Sequence, residues 1–206
     1  MARENVAAIR ALHPHGSVLL GGFCNGGIVA FEMARQLERA GVAVEHVVLL
    51  DAFNRNAGRE PAAVFARSLL REALERTGLR PPAHQASSSA PIASADAAHQ
   101  RLLARWYRVL GRYVARRYTG AVSLLWTGEN APQAERLTAQ WLAVAPAASV
   151  AYVPGTHLTS ITHHLAETSR ILSERLHQPV AAMKSGTKGQ DRRTVGTGRL
   201  RRSVIR

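Results

Sequence analysis

Residues Gly21-Gly22-Phe23-Cys24-Asn25-Gly26-Gly27 set one cysteine at the centre of a glycine-rich turn. The short apolar run Ser17–Leu20 precedes it, and an amphipathic segment, Asn25–Ala40, follows. A strand that turns this sharply into a helix leaves few folds open. The form Gly-x-Cys-x-Gly is that of a nucleophile elbow with cysteine in place of serine. The tight turn needs small neighbours, a condition we assign to Gly22 and Gly26. At a helix N-terminus the dipole and free N–H groups favour a thiolate and a developing oxyanion. The N–H of Asn25 is the expected oxyanion donor. A Gly-x-Gly-x-x-Gly dinucleotide loop fails, because Phe23 and Cys24 stand where its second glycine is required. A phosphate loop fails for want of Gly-Lys-Ser/Thr. A glycine-rich turn around an inert, buried cysteine remains open at this point.

Three further apolar runs, His46–Leu50, Val122–Trp126 and Val150–Val153, share the β-rich composition of Ser17–Leu20. All are continuous rather than alternating, as in parallel strands buried on both faces. Helical patterns separate them. In Asn25–Ala40 the polar residues Glu32, Arg35, Gln36 and Arg39 fall at helical spacing, and Gly41 is a plausible stop. Ala62–Thr77 carries Phe65, Leu69, Ala73 and Leu74 on one side. Asp96 is placed to cap a long helix with an apolar stripe of Leu102, Leu103, Trp106, Leu110, Tyr113 and Val114. A last helix is expected from about His163 to His177. Strands alternating with helices predict an α/β fold with a mostly parallel sheet. Residues 52–120 join two of the strands with far more chain than a crossover needs, the size of a helical lid over an active site. Within it, Ala83–Ala95 reads as a loop.

The chain has 206 residues, 46% of them apolar, enough for one domain with a real core. No membrane span or signal peptide is legible, and one cysteine permits no internal disulfide. The expectation is a soluble, cytoplasmic protein. The formal net charge of +13 suggests nucleic acid until it is divided along the chain. Residues 181–206 hold eight of the 27 Lys and Arg and a single acid, Asp191. The other 180 residues therefore carry 19 basic and 13 acidic groups, a net charge of +6. The segment 179–206 reads as a disordered basic tail on a domain of residues 1–178. No nucleic-acid motif accompanies it.

Asp51 ends the run Val47-Val48-Leu49-Leu50, at the edge of a parallel sheet where such folds place active sites. Capping the next turn is the alternative role. Of nine histidines, His157 follows the fourth run through Pro154-Gly155 and falls on a loop at the same edge. His163 and His164 read as helix-surface residues, and their spacing from His157 suits no metal. The order Cys24, Asp51, His157 is nucleophile, acid, base. Glu129, after the third run, is a rival acid.

The text from Leu20 to Gly41, with Val-Ala-Phe-Glu-Met-Ala-Arg-Gln-Leu at residues 29–37, is very similar to the type I thioesterase domains of polyketide and nonribosomal peptide synthetases. Val-Val-Leu-Leu-Asp51 and Tyr152-Val-Pro-Gly-Thr-His157 extend the likeness, which spans about residues 5–177. The resemblance implies an α/β-hydrolase fold and a triad of Cys24, Asp51 and His157. It implies a substrate held as a phosphopantetheine thioester on an acyl or peptidyl carrier protein, with no cofactor or metal of the domain's own. Cysteine replaces the family's usual serine. Such domains also begin with several dozen more residues, including a loop that supplies the second oxyanion donor. By that resemblance the chain is expected to be N-terminally truncated, with its first strand at a sheet edge. Two alternatives stand beside it: an inactive remnant that only binds a carrier protein, and another cysteine-elbow hydrolase such as a dienelactone hydrolase.

Overall fold

The computed structural model describes residues 1–79 and 97–177. Four strands, β1 (Val18–Phe23), β2 (Val44–Leu50), β3 (Val122–Thr127) and β4 (Ser149–Val153), form one parallel sheet in the order β1-β2-β3-β4. Among the described residues six α-helices accompany them: α1 (Ala2–Leu12), α2 (Asn25–Arg39), α3 (Pro61–Arg76), α4 (Ala97–Arg112), α5 (Ala134–Leu142) and α6 (Leu165–His177). The expected loop 83–95, Asp96 and the tail 179–206 lie outside the described residues.

The continuous apolar runs have their cause in helices on both faces of the sheet. Val47, Leu49, Val122, Leu124 and Trp126 face one core, shared with Phe31 and Leu37 of α2 and Trp141 of α5. The alternate residues Val48, Leu125, Ala151 and Val153 face a smaller core, against Ile171, Leu172 and Leu176 of α6. Every residue of β3 is buried, as a strand covered on two faces and paired on two sides requires. At the other extreme β1 pairs with β2 alone among the described residues, and its Leu19 is exposed. α2 ends as its sequence suggests. Gly41 takes φ +74°, its N–H bonds the carbonyl of Glu38, and the Val42 N–H bonds that of Leu37.

Helices α3 and α4 depart from their sequence pattern. Phe65 and Leu69 of α3 are exposed, whereas Val64 is buried and Leu70 and Leu74 line a cleft. On α4, Leu102 is also exposed, and the helix ends before Tyr113 and Val114. The reason is what covers them. α3 packs against α4 rather than on the sheet, and ion pairs from Glu72 of α3 to Arg108 and Arg112 of α4 join the two. A helical stripe identifies an apolar face without saying what will lie against it. His163 and His164 precede α6 instead of lying on it.

Candidate active site

The parallel register brings the C-terminal ends of the strands to one edge. Phe23 pairs with Leu50, and Leu50 with Leu125, so Cys24 and Asp51 emerge side by side. The ladder runs one bond further on each: the Cys24 N–H bonds the carbonyl of Leu50 (2.8 Å) and the Asp51 N–H that of Leu125 (2.9 Å). Cys24 (φ 56°) and Asp51 (φ 51°) are the non-glycine residues with positive φ among those described. Aspartate tolerates that region, but cysteine does not favour it, and such strain costs about 1–3 kcal/mol. The surrounding bonds hold both in place.

The glycines that close the elbow are Gly22 and Gly27. A Cβ on Gly22 would lie 2.4 Å from the backbone of Gly26 and Gly27, and one on Gly27 would lie 2.5 Å from Cβ of Ala52. At Gly26 an added Cβ meets nothing within 4 Å, which corrects its assignment as a steric requirement. The crowding arises because strand β1 and helix α2 cross at Gly22 while α2 leans on the chain just past Asp51. Only the folded structure reveals that second contact.

His157 joins the pair from the loop after β4. Its Nδ1 lies 2.9 Å from Oδ2 of Asp51, which is fully buried. An ionised carboxylate only accepts, so Nδ1 carries the hydrogen and Nε2 is left for the thiol of Cys24. The imidazole stacks on Phe23, with ring centroids 4.3 Å apart. Asp51 is held in turn by the N–H of Thr127 (3.1 Å), the hydroxyl of Thr127 (2.9 Å) and the amide of Asn130 (2.9 Å). Glu129 does not reach the imidazole ring. Its carboxylate accepts the backbone N–H of His157 at 2.8 Å.

The electrostatics follow from these contacts. Burial works to raise the Cys24 thiol, but the hydrogen bond and charge of His157 and the N–H of Asn25 outweigh it, and the pKa falls below that of a free thiol. Burial opposes ionisation of Asp51 too. The bonds from His157, Thr127 and Asn130 prevail and hold its carboxyl below the usual range. His157 is pushed up to about 9, first by Asp51 and then by Cys24. Each of the two groups favours the charged form of the other, a thiolate beside an imidazolium. That is the state of an activated nucleophile.

Cys24, Asn25 and His157 open onto a cleft of about 1690 Å³ that runs beneath α3 and α4. Its lining mixes apolar side chains such as Ile28, Val64 and Leu110 with polar ones. Among the described residues no cluster of His, Cys, Asp and Glu could hold a metal, and no helix is long and apolar enough to cross a membrane. The structure brings Cys24, Asn25, Asp51 and His157 together at one edge of the sheet. Phe23, Thr127 and Asn130 join them without having stood out in the sequence. Only Phe23, beside the cysteine in the turn, carried a local signal.

Residues 1–176 match the family described as Thioesterase domain. The chain belongs to that family. Among relatives of this thioesterase domain, polyketide synthase PksR of Bacillus subtilis (strain 168) is 36% identical over 70 residues, which are 34% of this chain and 3% of PksR. The chain thus corresponds to a very small part of that relative. The NocB thioesterase domain, solved in covalent complex with a fluorophosphonate nocardicin G analog, is 28% identical, with a TM-score of 0.57 over 86% of this chain and 74% of that one. The thioesterase domain SrfTE, described in the cyclization of the lipopeptide antibiotic surfactin, superposes with a TM-score of 0.58 at 22% identity, covering 86% of this chain and 75% of its own. That second likeness is one of fold: an α/β-hydrolase-type sheet under helices.

Proposed function

We propose that this thioesterase domain releases an acyl or peptidyl chain from the phosphopantetheine thioester of a carrier protein through a Cys24 acyl-enzyme. The observation that carries the reading is the relay Asp51–His157–Cys24 at the mouth of the cleft, with the thiol at a helix N-terminus. In the first step the Cys24 thiolate attacks the thioester carbonyl, and the N–H of Asn25 stabilises the oxyanion. His157 gives its proton to the departing phosphopantetheine thiolate, and the acyl group stays on Sγ. Neutral His157 then takes a proton from water, or from a nucleophile within the acyl chain, as that group attacks the acyl-cysteine. Collapse expels the Cys24 thiolate and regenerates the ion pair. Asp51 keeps the imidazole in the tautomer that faces the sulfur.

Cysteine changes the energetics. The acyl-enzyme is again a thioester, as reactive as the incoming one, whereas serine would store the chain as a more stable oxoester. That reactivity suits release by a weak internal nucleophile, as in ring closure.

The test is to incubate the protein with a simple acyl thioester and measure intact mass. A one-acyl adduct that hydroxylamine removes, and that Cys24→Ala lacks, is expected. Carrier-protein binding with no adduct and no product would instead favour a domain that only docks.

A further inference from the structure

Four residues at the end of β3 touch both partners of the nucleophile. Thr127 and Asn130 bond the carboxylate of Asp51, as described. Between them, Glu129 reaches to the neighbouring loop. Its N–H donates to the carbonyl of Gly155 (3.2 Å) and its carboxylate accepts the N–H of His157 (2.8 Å). The approach is close: a Cβ on Gly128 would stand 3.3 Å from that same carbonyl. The turn is braced behind as well. Gln133 donates to Oδ1 of Asn130 (2.8 Å) and accepts from Arg136 (2.8 Å). The loop bearing His157 also bonds within itself: the Thr156 N–H donates to Oγ1 of Thr159 (2.7 Å), the Ser160 N–H to the carbonyl of Thr156 (3.0 Å) and the Ser160 hydroxyl to the carbonyl of His157 (3.1 Å). Of all these bonds, only those of Glu129 tie the loop to the turn that holds Asp51.

We infer that Glu129 is a positioning residue: by holding the His157 backbone while its neighbours hold Asp51, the 127–130 turn sets the distance between acid and base. The inference rests on the reading of Cys24 and His157 as the reacting pair. An acid and a base carried on two strands move relative to each other unless one element grips both. Here that element is four residues long: Thr127 and Asn130 at its ends hold Asp51, and Glu129 between them holds the backbone of His157. The role needs an acceptor atom at Glu129 and not its charge, because the bond goes to a backbone N–H. This separates positioning from the rival role as acid, in which the negative charge would act on the ring. A misplacement of about 1 Å in such a site can cost on the order of 10²-fold in rate.

The test compares Glu129→Ala with Glu129→Gln by two readouts. The first is the pH dependence of iodoacetamide alkylation, which reports Cys24 alone because the chain has one cysteine. The second is turnover of an acyl thioester, separated into kcat and KM. Glu129→Ala is expected to shift the alkylation midpoint upward, toward the roughly 8.5 of a free thiol. Its kcat should fall about 10- to 100-fold with KM unchanged. Glu129→Gln, which keeps an acceptor oxygen, should recover most of both losses. An alanine variant with the wild-type alkylation profile would overturn the inference. So would a glutamine variant as impaired as alanine, which would restore the acid role. A rise in KM alone would make Glu129 a substrate contact, and lost circular dichroism in parallel with lost reactivity would make it a structural residue. Failure of the functional reading shows separately, as a wild-type cysteine that titrates like a free thiol.

Discussion

Asp51 Oδ2 and His157 Nδ1 meet at 2.9 Å although 106 residues of chain separate them. Two parallel crossovers lie between, the first of them carrying α3 and α4, and the bond forms because β2, β3 and β4 end at one edge. From this relationship, and from the bonds that support it, the behaviour of the site can be stated in advance.

Alkylation of Cys24 should follow two titrations. The rate should first rise at a pH below the roughly 8.5 of a free thiol, as the thiolate forms beside imidazolium. A second rise is expected near 9, where His157 loses its proton and the thiolate loses its counter-cation. One midpoint at or above the free-thiol value would show an inert cysteine.

Asp51→Asn should reduce turnover by on the order of 10⁴, because an amide no longer fixes the tautomer of His157. Thr127→Val should cost far less. It removes one of the bonds to Asp51 but leaves the backbone N–H of residue 127 and the amide of Asn130. Equal losses in steady-state kcat for the two variants would contradict this ranking.

The elbow glycines should respond unequally to a methyl group. Gly22→Ala and Gly27→Ala push a Cβ into contacts of 2.4 and 2.5 Å, and overpacking of that kind costs about 1–3 kcal/mol. Gly26→Ala meets open space within a helix, where alanine is the better former by about 1 kcal/mol. Urea midpoints should fall for the first two and hold or rise for the third. A Gly26 variant as unstable as the others would refute the packing described here.

Acid should destabilise the fold first through His46. It is buried, bonded to the hydroxyl of Ser123 at 2.9 Å, and burial lowers its pKa. The unfolded chain therefore takes up this proton at a higher pH than the folded one. Stability from this group is intact above about 6.5, and is lost as pH falls through that unfolded value toward the folded one. Tm measured between pH 8 and 5 should drop on the acid side. In His46→Gln that limb should be flatter, and an unchanged slope would exclude His46 as its source.

The sequence alone determined the local structure at this site. Continuous apolar runs placed four parallel strands, because a strand covered on both faces has no polar side to show. The cysteine turn, Leu-Leu-Asp51 and Pro-Gly-Thr-His157 singled out three side chains that meet in the fold, because each follows a strand and is marked by its own neighbours. What the tertiary structure decided are contacts between such ends. It paired the imidazole with Asp51 and gave Glu129 the backbone of His157, a choice that depends on the relative positions of three strands. It put Thr127 and Asn130 on a carboxylate 76 and 79 residues away. It moved the packing constraint from Gly26 to Gly27 by bringing Ala52 against the helix. It left Phe65 and Leu69 of α3 exposed, although their periodicity pointed inward. A residue's neighbours along the chain set its backbone geometry, but its partners across the sheet are fixed only when the strands adopt a common register.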